Sequence, residues 1–301
     1  YVSIGALGDP DGRTIVIASD NFLTYRNLAG ELPEGARQHW SGTIHHAPCA
    51  IGDIDGDGVA EVVCGPDDQV LAWKMSSASA VFSRFLPSPI SDAITLGDLD
   101  LDGEVEIIVP TADGTLYALH EDGGDVATDW PYVTPAGEPL TSGAIAQCLG
   151  TSYPEVAVAS EDAEVYLIWD DGTPQAQNYP ATTYSAIRGA PVIGTVAGSP
   201  DIMVGALDER IWSWDNFGYR NPGWPKDLDE NIELSPAYGD LDEDGFAEVV
   251  VLTSETMAIL DIQQEPAIEG RYWPMYGFDA QRTGCANCEE QIPPSSLPDE
   301  D

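Results

Sequence analysis

The chain has 301 residues, 43% of them hydrophobic, and carries 52 acidic against 11 basic side chains, a formal net charge of −41. That balance excludes nucleic acid as a partner, because phosphate contacts need a cationic surface, and it opposes docking on anionic lipid. No run of eighteen apolar residues occurs, so no membrane-spanning helix is expected, and the acidity suits a surface that binds cations or stays soluble in high salt.

The chain opens on Tyr1 rather than Met, which fits a processed precursor or an incompletely built chain with its export signal missing. From here one unit recurs. Its clearest strand is "TIVIA" from Thr14, followed by "EVVCG" from Glu61, "EIIVP" from Glu106, "EVAVA" from Glu155, "DIMVG" from Asp201 and "EVVVL" from Glu248. Successive starts lie 47, 45, 49, 46 and 47 residues apart. One column reads Ile15, Val62, Ile107, Val156, Ile202, Val249; two places on it reads Ile17, Cys64, Val109, Val158, Val204, Val251. Small and β-branched residues filling both columns predict a strand buried on that face.

A second strand follows each of these: "FLTYR" from Phe22, "VLAWK" from Val70, "TLYAL" from Thr115, "VYLIW" from Val165, "RIWSW" from Arg210 and "TMAIL" from Thr256. Most units then close on an aromatic or proline element: Trp40, Leu86-Pro87, Trp130-Pro131, Tyr179-Pro180, Trp224-Pro225, Trp273-Pro274. Proline removes a ladder donor and suits an outermost edge strand. With the strand before each turn ("CAIGD", "AITLGD"), the unit has four strands in about 45 to 49 residues. Four-stranded units at this period predict an all-β, six-bladed β-propeller, with a seven-bladed ring, one blade not visible, as the alternative. The propeller is expected over residues 1–276, in units of about 1–45, 46–90, 91–137, 138–185, 186–230 and 231–276. A closing segment and an acidic, Pro- and Ser-rich tail, read as disordered or an extended linker, complete the chain to 301.

The turn between the first and second strands carries the chemistry. In the second unit it reads Asp53-Ile-Asp55-Gly-Asp57-Gly-Val59-Ala-Glu61. The third unit repeats it as Asp98-Leu-Asp100-Leu-Asp102-Gly-Glu104-Val-Glu106, and the sixth as Asp240-Leu-Asp242-Glu-Asp244-Gly-Phe246-Ala-Glu248. Carboxylates at the first, third and fifth places of a tight loop can converge on one point. Glycine at the sixth allows a sharp reversal, the backbone carbonyl of the seventh (Val59, Glu104, Phe246) adds an oxygen, and the acid at the ninth closes the sphere. This all-oxygen, flexible, highly charged set is what calcium takes; magnesium wants a stricter octahedron, and zinc wants His or Cys. An EF-hand is excluded, because its closing acid stands at the twelfth place between helices. The plainer alternative is a solvated Asp-Gly turn. The other units lack the ligands. The fourth has Gln147, Leu149 and Thr151 in their places, the fifth is shortened to "TVAGSPD" (195–201), and the first to "DPDGRT" from Asp9. Three calcium sites are therefore expected, as stabilisers of the scaffold. Three divalent ions would cancel only six of 41 negative charges, so most of the acidity has another cause.

These loops, with their preceding Gly-Asp and the apolar strand after them, resemble the FG-GAP repeats of the integrin alpha-chain propeller and of bacterial cell-surface proteins. The closing "WPMYGFDAQRTG" (273–284) is similar to the end of bacterial propellers of this kind. The resemblance spans some 275 residues and implies a propeller with calcium on one face of the disc.

Other residues are less informative. Cys64 stands in a buried column and Cys49 on the preceding strand, placed either as a cross-hairpin disulfide or as separate core residues. Cys285 and Cys288 form "CANC", with no βαβ unit for a redox dithiol and Glu289 where a haem motif needs His, which leaves a short structural disulfide. Cys148 is left over, in a loop or facing the core. His45-His46 point to opposite faces of a strand and read as surface or core. Tyr219, Trp224 and Tyr276 could stack on sugar rings but read first as blade packing. With no Gly-x-Ser-x-Gly elbow and the clustered acids explained by calcium, no catalytic residue is assigned. The expected function is an exported calcium-binding module for binding, adhesion or assembly on a cell surface or appendage. Its partner is a protein or glycan, or another copy of the chain. A glycan-binding lectin and a polysaccharide-cleaving enzyme are the alternatives.

Overall fold

The computed structural model describes residues 2–5, 14–19, 22–27, 37–39, 49–74, 79–149, 153–196, 200–266 and 285–286. Every regular element among them is a strand. The first sheet holds β1 (Val2–Gly5), β2 (Thr14–Ser19), β3 (Phe22–Asn27) and β4 (Arg37–His39). The second holds β5 (Ala50–Gly52), β6 (Glu61–Cys64), β7 (Gln69–Lys74) and β8 (Ser79–Phe85). In the third are β9 (Thr95–Gly97), β10 (Glu106–Pro110), β11 (Thr115–Leu119) and β12 (Tyr132–Val133). The fourth has β13 (Ala144–Ala146), β14 (Glu155–Ala159), β15 (Glu164–Ile168) and β16 (Ala181–Thr182). The fifth has β17 (Val192–Thr195), β18 (Pro200–Gly205), β19 (Arg210–Asp215) and β20 (Lys226–Asp227). The described part of the sixth is β21 (Ala237–Gly239), β22 (Phe246–Leu252) and β23 (Met257–Pro266). Each sheet is an antiparallel meander in chain order.

The two apolar columns explain the arrangement. Val62, Ile107, Val156, Ile202 and Val249 are all fully buried, as are Val109, Val158, Val204 and Val251. Every residue of β6, β10 and β14 is buried, so these strands have neighbours on both faces. Those neighbours are the adjacent sheets. One core cluster joins Ala50 and Val63 of the second sheet to Ile107 and Tyr117 of the third, and another joins Ile108, Val156 and Val204 of the third, fourth and fifth. Each fully buried Val, Leu or Ile stabilises by about 1.5–3 kcal/mol. The first strands of consecutive sheets also touch, β1 on β5, β5 on β9, β13 on β17 and β17 on β21. First strands are thus innermost, and the sheets radiate outward from them.

At the periphery the outer strands β12, β16 and β20 have two residues each and follow cis peptide bonds at Trp130-Pro131, Tyr179-Pro180 and Trp224-Pro225. The aromatic of the pair packs inward. Trp130 Nε1 donates to the Asp170 carbonyl at 2.9 Å and the Tyr179 hydroxyl to the Asp215 carbonyl at 3.1 Å, each reaching the next sheet. Leu86-Pro87 does not belong to this series. It follows β8, and Leu86 N–H donates to the Asp68 carbonyl as Thr134 N–H does to Gly114 after β12. The second unit replaces the aromatic-proline element with a longer outer strand, and spacing alone aligned the wrong proline. Trp40 and Trp273-Pro274 lie outside the described residues.

One strand breaks the meander. β24 (Cys285–Ala286) pairs in parallel with β9, Cys285 opposite Leu96 and Ala286 opposite Gly97. A disordered or linker tail was expected from Cys285 onward, yet these two residues add to the inner edge of the third sheet. Ladder hydrogen bonds depend on a free inner edge, which no local sequence pattern reveals.

Candidate metal centre

The three acidic loops are one structure made three times. In each, the N–H of the second residue donates to the buried acid at the ninth: Ile54 to Glu61 at 3.1 Å, Leu99 to Glu106 at 2.6 Å, Leu241 to Glu248 at 2.8 Å. The sixth-place glycine donates to the first-place aspartate, Gly58 to Asp53 at 2.7 Å, Gly103 to Asp98 at 3.1 Å and Gly245 to Asp240 at 3.0 Å. The fifth-place N–H donates to the third-place carboxylate, and the seventh (Val59, Glu104, Phe246) to the fifth (Asp57, Asp102, Asp244). These bonds turn the carboxylates inward along a loop that reverses twice. The glycines at the sixth place have φ of 84°, 94° and 90°. The fourth place is also left-handed, with φ of 67° at Gly56 but 58° at Leu101 and 62° at Glu243. An L-residue there is strained, so the loop closure holds a conformation the local sequence disfavours.

Carboxylate oxygens converge in all three. Asp53, Asp55 and Asp57 bring one oxygen each within 4.8 Å of the others, as do Asp98, Asp100 and Glu106, and Asp240, Asp242 and Glu248. The ninth-place acid therefore replaces the fifth-place one in the second and third groups. The donor set is entirely oxygen. Asp98 Oδ1 and Asp240 Oδ1 are buried and take no hydrogen bond. An uncompensated buried carboxylate oxygen is costly, and a divalent cation would compensate it, so these residues fit calcium. The electrostatics agree. Burial pushes the Glu106 carboxyl up to about 8, and the charges of Asp100, Asp98 and Asp102 add to it. Burial likewise raises Glu61 to about 7 and lifts Asp98, while the Glu121 charge lifts Glu104. The cause is burial at Glu61, Glu106 and Asp98, with neighbouring carboxylates adding to it, and like charge at Glu104.

The ninth-place acid has a role the spacing did not disclose. It persists where the other ligands are gone. Glu155 accepts the N–H groups of Cys148 and Leu149 at 2.7 and 3.3 Å, and Asp201 accepts that of Val196 at 2.5 Å. Both acids are fully buried. This carboxylate caps the turn in the second to sixth units, with or without further acids. In the fifth sheet Asn221 Nδ2 donates to the second Asp201 oxygen at 2.8 Å. Two more residues escaped the sequence reading. Lys74, one of two lysines in the chain, sits over the first loop, 3.0 Å from Asp55 Oδ2 and 3.6 Å from Glu61 Oε1, and also pairs with Asp57. His120 Nδ1 stands 3.9 Å from Glu106 Oε1. Lys74 ends the second strand of its hairpin and His120 directly follows the equivalent strand, a column that could have been checked for charge.

Cys49 and Cys64 are joined in a disulfide with a Cα–Cα distance of 4.5 Å, across the hairpin that carries the first loop. Cys148 is free and buried in the core, where burial raises its thiol. Cys288, His45, His46 and Tyr276 lie outside the described residues, as does nearly all of the first unit's short loop. Trp224 is buried and packs with Ile232 in the core, whereas Tyr219 is 57% exposed.

No family model and no curated protein matches this chain. Solved structures do match. One of BBS1N in complex with ARL6DN, soaked with mercury, aligns with a TM-score of 0.60 at 14% identity over 91% of this chain and 80% of that one. The lead-soaked form gives 0.58 at 13% identity, over 88% and 82%. BamB from Moraxella catarrhalis gives 0.54 at 14%, over 88% and 86%. The fold is a β-propeller. In propeller terms the acidic loops join the innermost strand of a blade to the next one outward, and all three occupy that same place in their blades. No helix among the described residues is long and apolar enough to cross a membrane.

Proposed function

We propose that this propeller is a calcium-stabilised binding or assembly module with a protein partner, working outside the cell. The observation that carries the metal reading is the pair of buried, unpartnered oxygens, Asp98 Oδ1 and Asp240 Oδ1, each within a cluster of convergent carboxylates. Asp98, Asp100 and Glu106 would hold one ion, and Asp240, Asp242 and Glu248 another. Bound calcium supplies positive charge at the turn and no redox chemistry. The chain's own residues set the loop with backbone bonds and bury the closing acid. The blade hairpin is thereby fixed, and a rigid disc displays its faces.

The FG-GAP resemblance of these loops supports the same assignment and the extracellular setting. So does the Cys49–Cys64 disulfide, since such bonds persist in oxidising compartments. A protein partner is favoured because a propeller of this shape is seen in complex with ARL6DN. Calcium titration followed by thermal melting tests the reading. A saturable rise in melting temperature, reversed by chelator and absent with magnesium at the same concentration, is expected. An unchanged melting temperature would refute it. A sugar-dependent rise would instead favour a lectin, and new reducing or unsaturated ends on a polysaccharide would favour an enzyme.

A further inference from the structure

The three acidic loops share a backbone but differ in what faces them across the hairpin. The residue opposite the closing acid follows from the strand register. Val62 pairs with Trp73, which puts Lys74 beside Glu61; Ile107 pairs with Leu119, which puts His120 beside Glu106; Glu248 pairs directly with Asp261. A full cation, an imidazole and a carboxylate therefore occupy one structural position in three blades.

The first loop is arranged around its cation. The Lys74 ammonium bridges the third, fifth and ninth carboxylates, Asp55, Asp57 and Glu61. The first-place aspartate differs too. Asp53 Oδ1 accepts the Asp57 N–H at 3.1 Å and Oδ2 the Gly58 N–H at 2.7 Å, so both oxygens are satisfied. The equivalent Asp98 Oδ1 and Asp240 Oδ1 have no such partner; in the first loop the oxygen without a hydrogen bond is Glu61 Oε1, and it lies 3.6 Å from the Lys74 ammonium. The first loop also has four carboxylates, against five in each of the other two. Its hairpin is closed by the Cys49–Cys64 bond, a covalent staple that does not depend on metal.

We infer that Lys74 is the resident cation of the first loop, so that three of its four carboxylates share an internal ammonium while the loops at Asp98 and Asp240 take calcium. The inference rests on the calcium reading of those two loops. A tethered ammonium acts at high effective concentration, and a metal entering the first loop must displace it and leave the amine beside a dication. The hydrogen bond to Asp57 stabilises the charged amine further and holds the Asp57 carboxyl below its usual range. Lys74 is thus a selectivity device that converts one of three like loops into an ion pair.

Metal content after equilibrium dialysis at a fixed free calcium, read by mass spectrometry, tests this. Wild type is expected to hold about two ions, Lys74→Met about three, and Lys74→Arg, which keeps the charge, about two. Lys74→Met combined with Asp55→Asn returns to about two, which places the gained ion in the first loop and controls for folding. Equal metal content in wild type and Lys74→Met, at two or at three, overturns the role of Lys74 and leaves the calcium reading standing. No ion in any of the four proteins overturns the calcium reading itself.

Discussion

In the fifth blade Asp201 accepts the Val196 N–H at 2.5 Å with one oxygen and the Asn221 amide at 2.8 Å with the other. In the sixth blade Glu248 accepts the Leu241 N–H at 2.8 Å, and the residue opposite it is Asp261. The turn is built the same way in both: a buried acid reaches back to cap a backbone N–H. The difference lies in what balances the rest of the charge. The fifth blade uses a neutral amide on a shortened turn, whereas the sixth gathers four more acids on a longer one. A buried carboxylate needs donors or a cation, and the two blades answer with different partners. Capping is therefore common to the blades, and metal binding is an addition to it in some of them.

Removing calcium breaks the comparison most strongly. At free calcium about 100-fold above the dissociation constant, each occupied loop adds about 2.7 kcal/mol, so two loops add about 5 kcal/mol. Chelator should lower the urea midpoint accordingly, and Asp242→Ala should remove about half of that difference while leaving the chelated protein unchanged within about 0.5 kcal/mol. Glu155→Ala comes next. It strips the cap from a blade without metal ligands, leaves two buried N–H groups unpaired and opens a cavity, for a loss of about 3 kcal/mol. That loss should be the same with calcium and with chelator, as two urea titrations would show.

Asn221→Ala sharpens the contrast from the other side. It removes the Asn221 amide from the buried Asp201 carboxylate and should cost about 2 kcal/mol, again independent of calcium. The smallest effect is in the pH dependence of the chelated protein. Glu106 is raised from the ordinary 4.5 to about 8, so between these values the folded chain keeps a proton that the unfolded chain has released. Stability from this group is therefore lost as pH rises through that window. Wild type in chelator should weaken relative to Glu106→Gln from about pH 5 to 8, and saturating calcium should flatten the trend because the metal selects the ionised carboxylate. A difference between the two proteins that stays constant with pH would contradict the assignment.

Much of the molecule was readable along the chain. The columns that contain Val62 and Val109 marked buried strands because β-branched residues recurring at one period have one structural use. The loops at Asp53, Asp98 and Asp240 were visible because the spacing of the acids is local geometry. Leu86-Pro87 was misaligned because a proline marks an edge without saying which end of the edge strand it occupies. The left-handed Leu101 and Glu243 were invisible because closure of the loop imposes that conformation against residue preference. The pairing of Cys285 with Leu96 was out of reach, since it joins residues far apart in sequence.

The sequence by itself determined the repeat, the strands and the places where acids cluster, because periodicity and spacing are properties of short stretches. Only the tertiary structure decided what each cluster meets. Lys74, His120 and Asp261 reach their acids through strand register, and Asn221 reaches Asp201 from 20 residues away. Charge balance at a buried site depends on neighbours in space, and strand pairing is what makes those neighbours.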